Sequence, residues 1–280
     1  MGLALVTGCS TGIGYATALR LARDGHRVVA TMRDPSGGDL AKVAADARLD
    51  IDVRALDVND GAAVTALVDS LDAVDILVNN AGLGGQGWAV EETSLDGFRE
   101  IMETNYFGAL ACIKAVLPSM RERGSGCIVN VTSQAGRLAM PGMAPYCASK
   151  WALEAATESL SIEVAPFGIR VAAVEPGAIM TAIWGKADLT PPTGPYKPVR
   201  NRLAHVIMTE LGEASTADEV ADCISEAIST DTPKLRWLVG RGAERNIANR
   251  AAWGDEGYNE LWQNPDNDAF IRQMMSDPAG

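Results

Sequence analysis

Short β-branched runs alternate along this chain with longer stretches in which apolar residues recur every three or four positions. The short runs predict strands at Leu3–Thr7, Arg27–Met32, Asp52–Ala55, Ile76–Asn79, Gly126–Val131, Arg170–Glu175 and Trp237–Gly240. The longer ones predict helices over Ile13–Asp24, Leu40–Ala47, Ala62–Ser70, Phe98–Arg123 and Ala148–Ala165. Several strands are apolar almost throughout, as expected where both faces are covered. The pattern therefore predicts an α/β fold of doubly wound type: a seven-stranded parallel sheet between two helical layers, as one domain over residues 1–280.

Two stretches break the rhythm. Residues 178–200 hold Pro191, Pro192, Pro195 and Pro198 with Gly185 and Gly194, too long for an ordinary connection. They read as a substrate lid or a mobile loop, with the lid region running to residue 212. After Gly240 come some forty residues with Trp253, Tyr258, Trp262 and Phe270. These read as short helices packed on the substrate pocket or on a partner subunit.

Charge and composition narrow the partners. Acids outnumber bases 36 to 24, giving a formal net charge of −12 that opposes a nucleic-acid backbone. No apolar stretch approaches the ~18 residues of a membrane span. Since the first strand begins at Leu3, no secretory leader is expected and a cytoplasmic location follows. The five cysteines, Cys9, Cys112, Cys127, Cys147 and Cys223, form no C-x-x-C pair, so neither a disulfide framework nor a zinc site is expected. Cys147 reads either as a reactive thiol or as a small buried side chain. His26 and His205 offer no triad or metal cluster, which leaves hydrolase chemistry unsupported.

Candidate chemistry lies at two places. Thr7-Gly8-Cys9-Ser10-Thr11-Gly12-Ile13-Gly14 joins the first strand to the first helix. There Gly8 would permit the tight turn, Gly12 the approach of backbone to a pyrophosphate, and Gly14 close packing of helix on sheet. The helix N-terminus offers N–H groups and positive dipole to phosphate. Readers of NAD carry an acid at the end of the second strand, roughly 20 residues past the loop. Here that strand ends in Met32-Arg33. Arg33 would pair with a 2′-phosphate, aided by the Thr11 hydroxyl, so NADP(H) is favoured and NAD(H) remains possible. The alternative for Arg33 is an ordinary surface arginine, and Asp34 beside it is an acid near the right place.

The second place holds Ser133, Tyr146 and Lys150. Tyr146 and Lys150 are four apart and share a helix face, while Ser133 follows a strand at the sheet's carboxyl edge. A tyrosine near pKa 10 is a poor acid–base catalyst at neutral pH, and a nearby ammonium would favour its phenolate. Taken alone, a Y-x-x-x-K spacing is usually structural.

Together these motifs resemble the short-chain dehydrogenase/reductase family, in the single-domain subfamily with a T-G-x-x-x-G-x-G loop. Asn79-Asn80-Ala81-Gly82, Asn105 within Thr104-Asn105-Tyr106-Phe107-Gly108, Asp57-Val58, and Pro176-Gly177 with Ile179 and Thr181 beyond match further family motifs in order. The match covers residues 3 to about 240. The resemblance implies that Tyr146 protonates a carbonyl oxygen and that Lys150 lowers the tyrosine pKa and binds the nicotinamide ribose. It implies that Ser133 orients the substrate and Asn105 holds a proton-relaying water. It also implies that Gly8, Ser10, Thr11, Gly12, Ile13, Gly14, Arg33, Asp57, Val58, Asn80, Ala81, Gly82, Pro176, Gly177, Ile179 and Thr181 line the cofactor site. A homodimer or homotetramer pairing through the two long helices is implied as well.

Ala30-Thr31-Met32-Arg33-Asp34-Pro35 and Val174-Glu175-Pro176-Gly177 are similar to the 17β-hydroxysteroid and retinol dehydrogenase branch. A bulky apolar alcohol or carbonyl substrate is the corresponding expectation. Leu138, Met140, Met143, Met180, Ile183 and Trp184 flank the catalytic positions and read either as pocket lining or as ordinary core. Two other functions fit the same motifs: a reductase of a polyketide or other secondary metabolite, and a non-catalytic NADP-sensing regulator.

Overall fold

The computed structural model describes residues 2–85, 88–180 and 193–277. Its first half alternates β1 (Leu3–Thr7), α1 (Gly12–Arg23), β2 (Arg27–Met32), α2 (Leu40–Ala47), β3 (Ile51–Ala55), α3 (Gly61–Asp69) and β4 (Ile76–Asn79). The second half runs α4 (Leu95–Met102), α5 (Gly108–Arg123), β5 (Gly126–Val131), α6 (Ala144–Val164), β6 (Ile169–Pro176), α7 (Lys197–Leu211), α8 (Ala217–Ser229), β7 (Arg236–Val239), α9 (Arg241–Gln263) and α10 (Asn267–Met274).

All seven strands are parallel, in the order β3-β2-β1-β4-β5-β6-β7. Every residue of β1 and β4 is buried, which explains why β1 is apolar up to Thr7 and β4 up to Asn79. One face of the sheet packs on Leu19 and Leu21 of α1, Leu40 of α2, and Val220, Ile224 and Ile228 of α8. The other packs on Val64 of α3, Ile113, Val116 and Met120 of α5, and Leu160 and Val164 of α6. The three-layer α/β/α arrangement is thus the one the pattern predicts. Strand order reverses between β1 and β4, and the crevice beyond their carboxyl ends is where such sheets bind ligands.

Three elements depart from expectation. The predicted helix over Phe98–Arg123 starts at Leu95 and is interrupted by a π-helical turn at Glu103–Phe107. The next predicted helix begins at Ala144, so Tyr146 lies in its first turn. The C-terminal extension holds the 23-residue α9, bent where Gly254 leaves helical geometry, besides the short α10. It packs on its own chain: Tyr258, Leu261, Phe270 and Met274 form a cluster with Val206 of α7.

Helix α8 escaped the sequence reading although its start is marked. Thr216 and Glu219 form a capping box, with Glu219 N donating to Thr216 Oγ1 at 3.2 Å and Thr216 N donating to Glu219 Oε2 at 2.6 Å. Part of the lid region is α7, opened by Pro198 in its first turn. Among the described residues, no helix is long and apolar enough to cross a membrane.

Candidate active site

A cleft of about 420 Å³ opens over the carboxyl ends of the strands. Gly8, Ser10, Thr11, Gly12, Ile13, Arg33, Asp57, Val58, Asn80, Ala81, Gly82, Ser133, Tyr146, Lys150, Pro176, Gly177 and Ile179 all line it. Gly14 and Asn105 do not; both are buried behind its wall. Thr181, Ile183 and Trp184 lie outside the described residues.

At the nucleotide end, φ is +74° at Gly8 and +64° at Gly12, a region that side chains resist. Gly14 serves a closer contact than helix-on-sheet packing: a Cβ there would stand 2.4 Å from both Asn80 Nδ2 and Gly8 O. Asn80 is the brace of this loop. Its Nδ2 donates to Thr7 O at 2.9 Å and Gly8 O at 3.1 Å, while its backbone N–H donates to Thr7 Oγ1 at 3.0 Å. Helix α1 begins without an acid in its first turn and without a side-chain cap from Thr11. Its leading N–H groups thus face the cleft with the positive end of the dipole, a fit for a dinucleotide's phosphates.

Arg33 and Asp34 separate in the structure. Arg33 lines the cleft. The Asp34 carboxylate instead accepts from Ser36 N at 2.9 Å and Ser36 Oγ at 2.6 Å, capping the turn at Pro35–Gly37. Those bonds hold its carboxyl below the usual carboxylate range. Asp57 likewise turns to its own chain, accepting from Asn59 N at 3.0 Å.

At the reactive end, the sheet fixes α6 through a buried polar ladder. Asn79 Nδ2 donates to Asn130 Oδ1, and Asn130 Nδ2 to Thr157 Oγ1, each at 2.9 Å. A second chain fixes the first turn of α6. Asn105 Oδ1 accepts from Leu83 N at 2.7 Å, its Nδ2 donates to Leu83 O at 3.0 Å and Ser149 Oγ at 2.9 Å, and Ser149 Oγ donates to Tyr146 O at 2.7 Å. Both amide hydrogens of Asn105 are therefore occupied, and the side chain works here as a strut between the Gly82–Leu83 turn and Tyr146. The π-helical turn that carries Asn105 is a feature common at functional sites.

Ser133 caps the turn after β5, with Oγ accepting from Ala135 N at 3.1 Å, and lines the cleft together with Tyr146. Lys150 Nζ donates to Val131 O at 2.9 Å and lies 5.8 Å from the Tyr146 ring centre. The electrostatics differ from the sequence expectation. Burial raises the Tyr146 phenol above its ordinary value, and the group that draws it down is Ser133. Burial also depresses Lys150 to about 8, with the Glu154 carboxylate opposing. Both shifts have one cause: a poorly solvated pocket disfavours whichever form is charged. The phenol thus stays protonated, the form that can give a proton.

The expected substrate lining divides. Leu138 and Met140 are buried in a cluster with Ala135 and Leu203, joined by Ile207, Ile247 and Trp262. Neither lines the cleft, and Met140 borders a second cavity with Tyr258 and Trp262. Met143 packs at the edge of that cluster, and its side chain reaches Gly85, where a Cβ would stand 3.3 Å from it. Met180 is 60% exposed. Cys147 is buried and its thiol is raised by burial, as in the small-buried-side-chain reading. Sequence reasoning missed Gly84 and Gly85, which line the cleft. The run Gly82-Leu83-Gly84-Gly85 was a visible signal for a close backbone approach.

A family model for short chain dehydrogenase matches residues 2–191. Retinol dehydrogenase 8 of Bos taurus is 36% identical, over 83% of this chain and 79% of its own. Human 17-beta-hydroxysteroid dehydrogenase type 1 is 34% identical, over 84% of this chain and 76% of its own. The crystal structure of a short-chain dehydrogenase from Streptomyces avermitilis superposes with a TM-score of 0.82 at 34% identity, covering 94% of this chain and 95% of that one. With the glycine loop, the braced Asn80 and the Ser133–Tyr146–Lys150 cluster in one cleft, the chain belongs to the short-chain dehydrogenase family of oxidoreductases, which use nicotinamide cofactors.

Proposed function

We propose that this protein interconverts a secondary alcohol and a ketone, or reduces an aldehyde, with NADP(H), and that its substrate is bulky and apolar. The observation that carries the reading is a half-buried phenol beside a serine and a buried lysine, in the cleft that the glycine loop closes at its other end. The residues fit a dinucleotide: Gly8, Gly12 and the first turn of α1 would hold its pyrophosphate, and Arg33 with Thr11 its 2′-phosphate. When bound, the nicotinamide supplies or accepts the hydride.

In reduction, Ser133 Oγ donates a hydrogen bond to the carbonyl oxygen and orients it. Tyr146 Oη gives its proton to that oxygen as negative charge develops there. The phenolate left behind is stabilised by Ser133 and by the Lys150 ammonium, which rests on the Val131 carbonyl. Lys150 would also hold the nicotinamide ribose, and Asn105 with Ser149 holds the first turn of α6 so that Tyr146 stays aimed at the cleft. In oxidation the same groups take the proton from the alcohol.

The apolar substrate is supported by Met143 and Gly85 beside Tyr146, and by kinship with enzymes named for steroids and retinol. The test is NADPH and NADH oxidation over steroid, retinoid, decalone and quinone carbonyls. The expected result is turnover with NADPH that drops by about 10²–10⁴ in Tyr146→Phe, the span of a lost general acid, while NADPH binding is retained. Turnover preserved in Tyr146→Phe would overturn the assigned role.

A further inference from the structure

The C-terminal extension and α7 converge on the segment that carries Ser133. Gln134, next in sequence to it, is 4% exposed and belongs to a closed three-residue network. Its Nε2 donates to Glu210 Oε2 of α7 at 3.2 Å. Asn246 Nδ2 of α9 donates to Gln134 Oε1 at 2.9 Å and to Glu210 Oε1 at 2.5 Å. Glu210 and Asn246 are also buried. At the far end of the segment, Tyr258 Oη donates to Ala139 O at 2.8 Å. Between these ties, Ala135, Leu138 and Met140 pack against Leu203 of α7, with Ile207, Ile247 and Trp262 around them.

The donor pattern shows what the network requires. An ionised carboxylate only accepts, so both Glu210 oxygens need N–H partners, and this fixes which end each amide presents. Three buried side chains from three distant parts of the chain satisfy one another. Burial raises the Glu210 carboxyl above its ordinary value, and the N–H donors of Asn246 and Gln134, with the Arg245 charge paired to Glu213 at 2.7 Å, oppose that rise and favour the ionised form. A polar network in an apolar setting specifies one arrangement of its members, because any other leaves a buried group unpaired.

We infer that Glu210 and Asn246, with Tyr258, are positioning residues that hold Ser133 in register with Tyr146, making the C-terminal extension part of the catalytic framework. This rests on the role proposed for Ser133. It goes beyond that role by assigning a function to the extension and by tying α7 to Ser133.

The network predicts a rescue. Glu210→Gln keeps volume but sets an N–H donor against Gln134 Nε2 or Asn246 Nδ2. Gln134→Glu sets one carboxylate against the other. The reciprocal exchange, both substitutions together, allows all three hydrogen bonds again with the carboxylate moved by one residue. Turnover with the best ketone of the panel, NADPH affinity, and amide hydrogen exchange of residues 133–141 would be measured for each. Each single variant should lose about tenfold in kcat, with NADPH affinity within twofold and faster exchange across the segment. The exchange should recover most of both losses, and Tyr258→Phe should speed exchange near Ala139. Unchanged kcat and segment exchange in Glu210→Gln overturn the inference. So does loss without rescue in the reciprocal pair, provided that pair melts within a few degrees of the parent; lower stability is met by repeating the comparison at reduced temperature. Ser133→Ala separates the two levels: if it retains turnover, the role of Ser133 fails first.

Discussion

At the scale of single residues, the cleft separates side chains that look alike in sequence. Arg33 and Asp34 are neighbours, and either would suit a ribose reader. Asp34 is spent on the Ser36 amide and hydroxyl, which leaves Arg33 as the charged side chain in the cleft wall there. A hydrogen bond to a charged group contributes about 1.5–3 kcal/mol, so Arg33→Ala should weaken NADPH binding by roughly 10–100-fold. NADH, lacking the phosphate, should change by less than threefold. Fluorescence titration of both cofactors checks this, and equal losses would count against the assignment. Tyr146 teaches a related point. Its spacing from Lys150 is legible in sequence, but burial, which only the fold reveals, raises the phenol and lowers the lysine at once.

At the scale of elements, the glycine loop and the turn after β4 form one unit. Asn80 fastens them, and the close approach of Gly14 to Asn80 and to Gly8 O leaves no space for a side chain. Gly14→Ala should therefore push the loop off Asn80, because one of the obstructing atoms is backbone and the other is held by two bonds. NADPH affinity should fall at least tenfold, with a melting point several degrees lower. Calorimetric titration and thermal melts would measure both; an unaltered affinity would mean that the loop does not bind phosphate in this form. The interrupted helix shows the limit of periodic reading. The sequence reading ran one helix over Phe98–Arg123, whereas the structure starts at Leu95 and inserts a π-helical turn at Glu103–Phe107, which a uniform 3.6-residue period does not represent.

At the scale of the whole molecule, one buried charge cluster joins parts far apart in sequence. Glu175 of β6 is fully buried between Arg137 and Arg236, each 3.3 Å away, and Arg236 also pairs with Glu154 at 3.1 Å. Burial and the Glu154 carboxylate raise the Glu175 carboxyl to about 7, against the two arginines. Its folded value thus lies above the ordinary 4.5. Between those two values the folded chain holds a proton that the unfolded chain releases. Stability from this group therefore grows as pH falls from about 7 toward 4.5 and is absent above 7. Glu175→Gln should remove that dependence, narrowing the difference in melting temperature between pH 5 and pH 8 relative to the parent. Identical pH slopes in the two proteins would show that Glu175 does not titrate there.

The sequence by itself determined the layers and the family's local motifs, those carrying Tyr146 and Lys150 included, because strand and helix periodicity and loop glycines are local properties that short spacings record. Tyr146 and Lys150 four apart on a helix, and Gly8, Gly12 and Gly14 between a strand and a helix, need no knowledge of the rest of the chain. Only the tertiary structure decided what those residues experience. It packed Leu138 and Met140 against side chains of α7 and α9, and it engaged Asn105 with Leu83 and Ser149. It also brought Gln134, Glu210 and Asn246 together across more than one hundred residues. Long-range hydrogen bonds and burial depend on which surfaces meet, and no spacing along the chain records that.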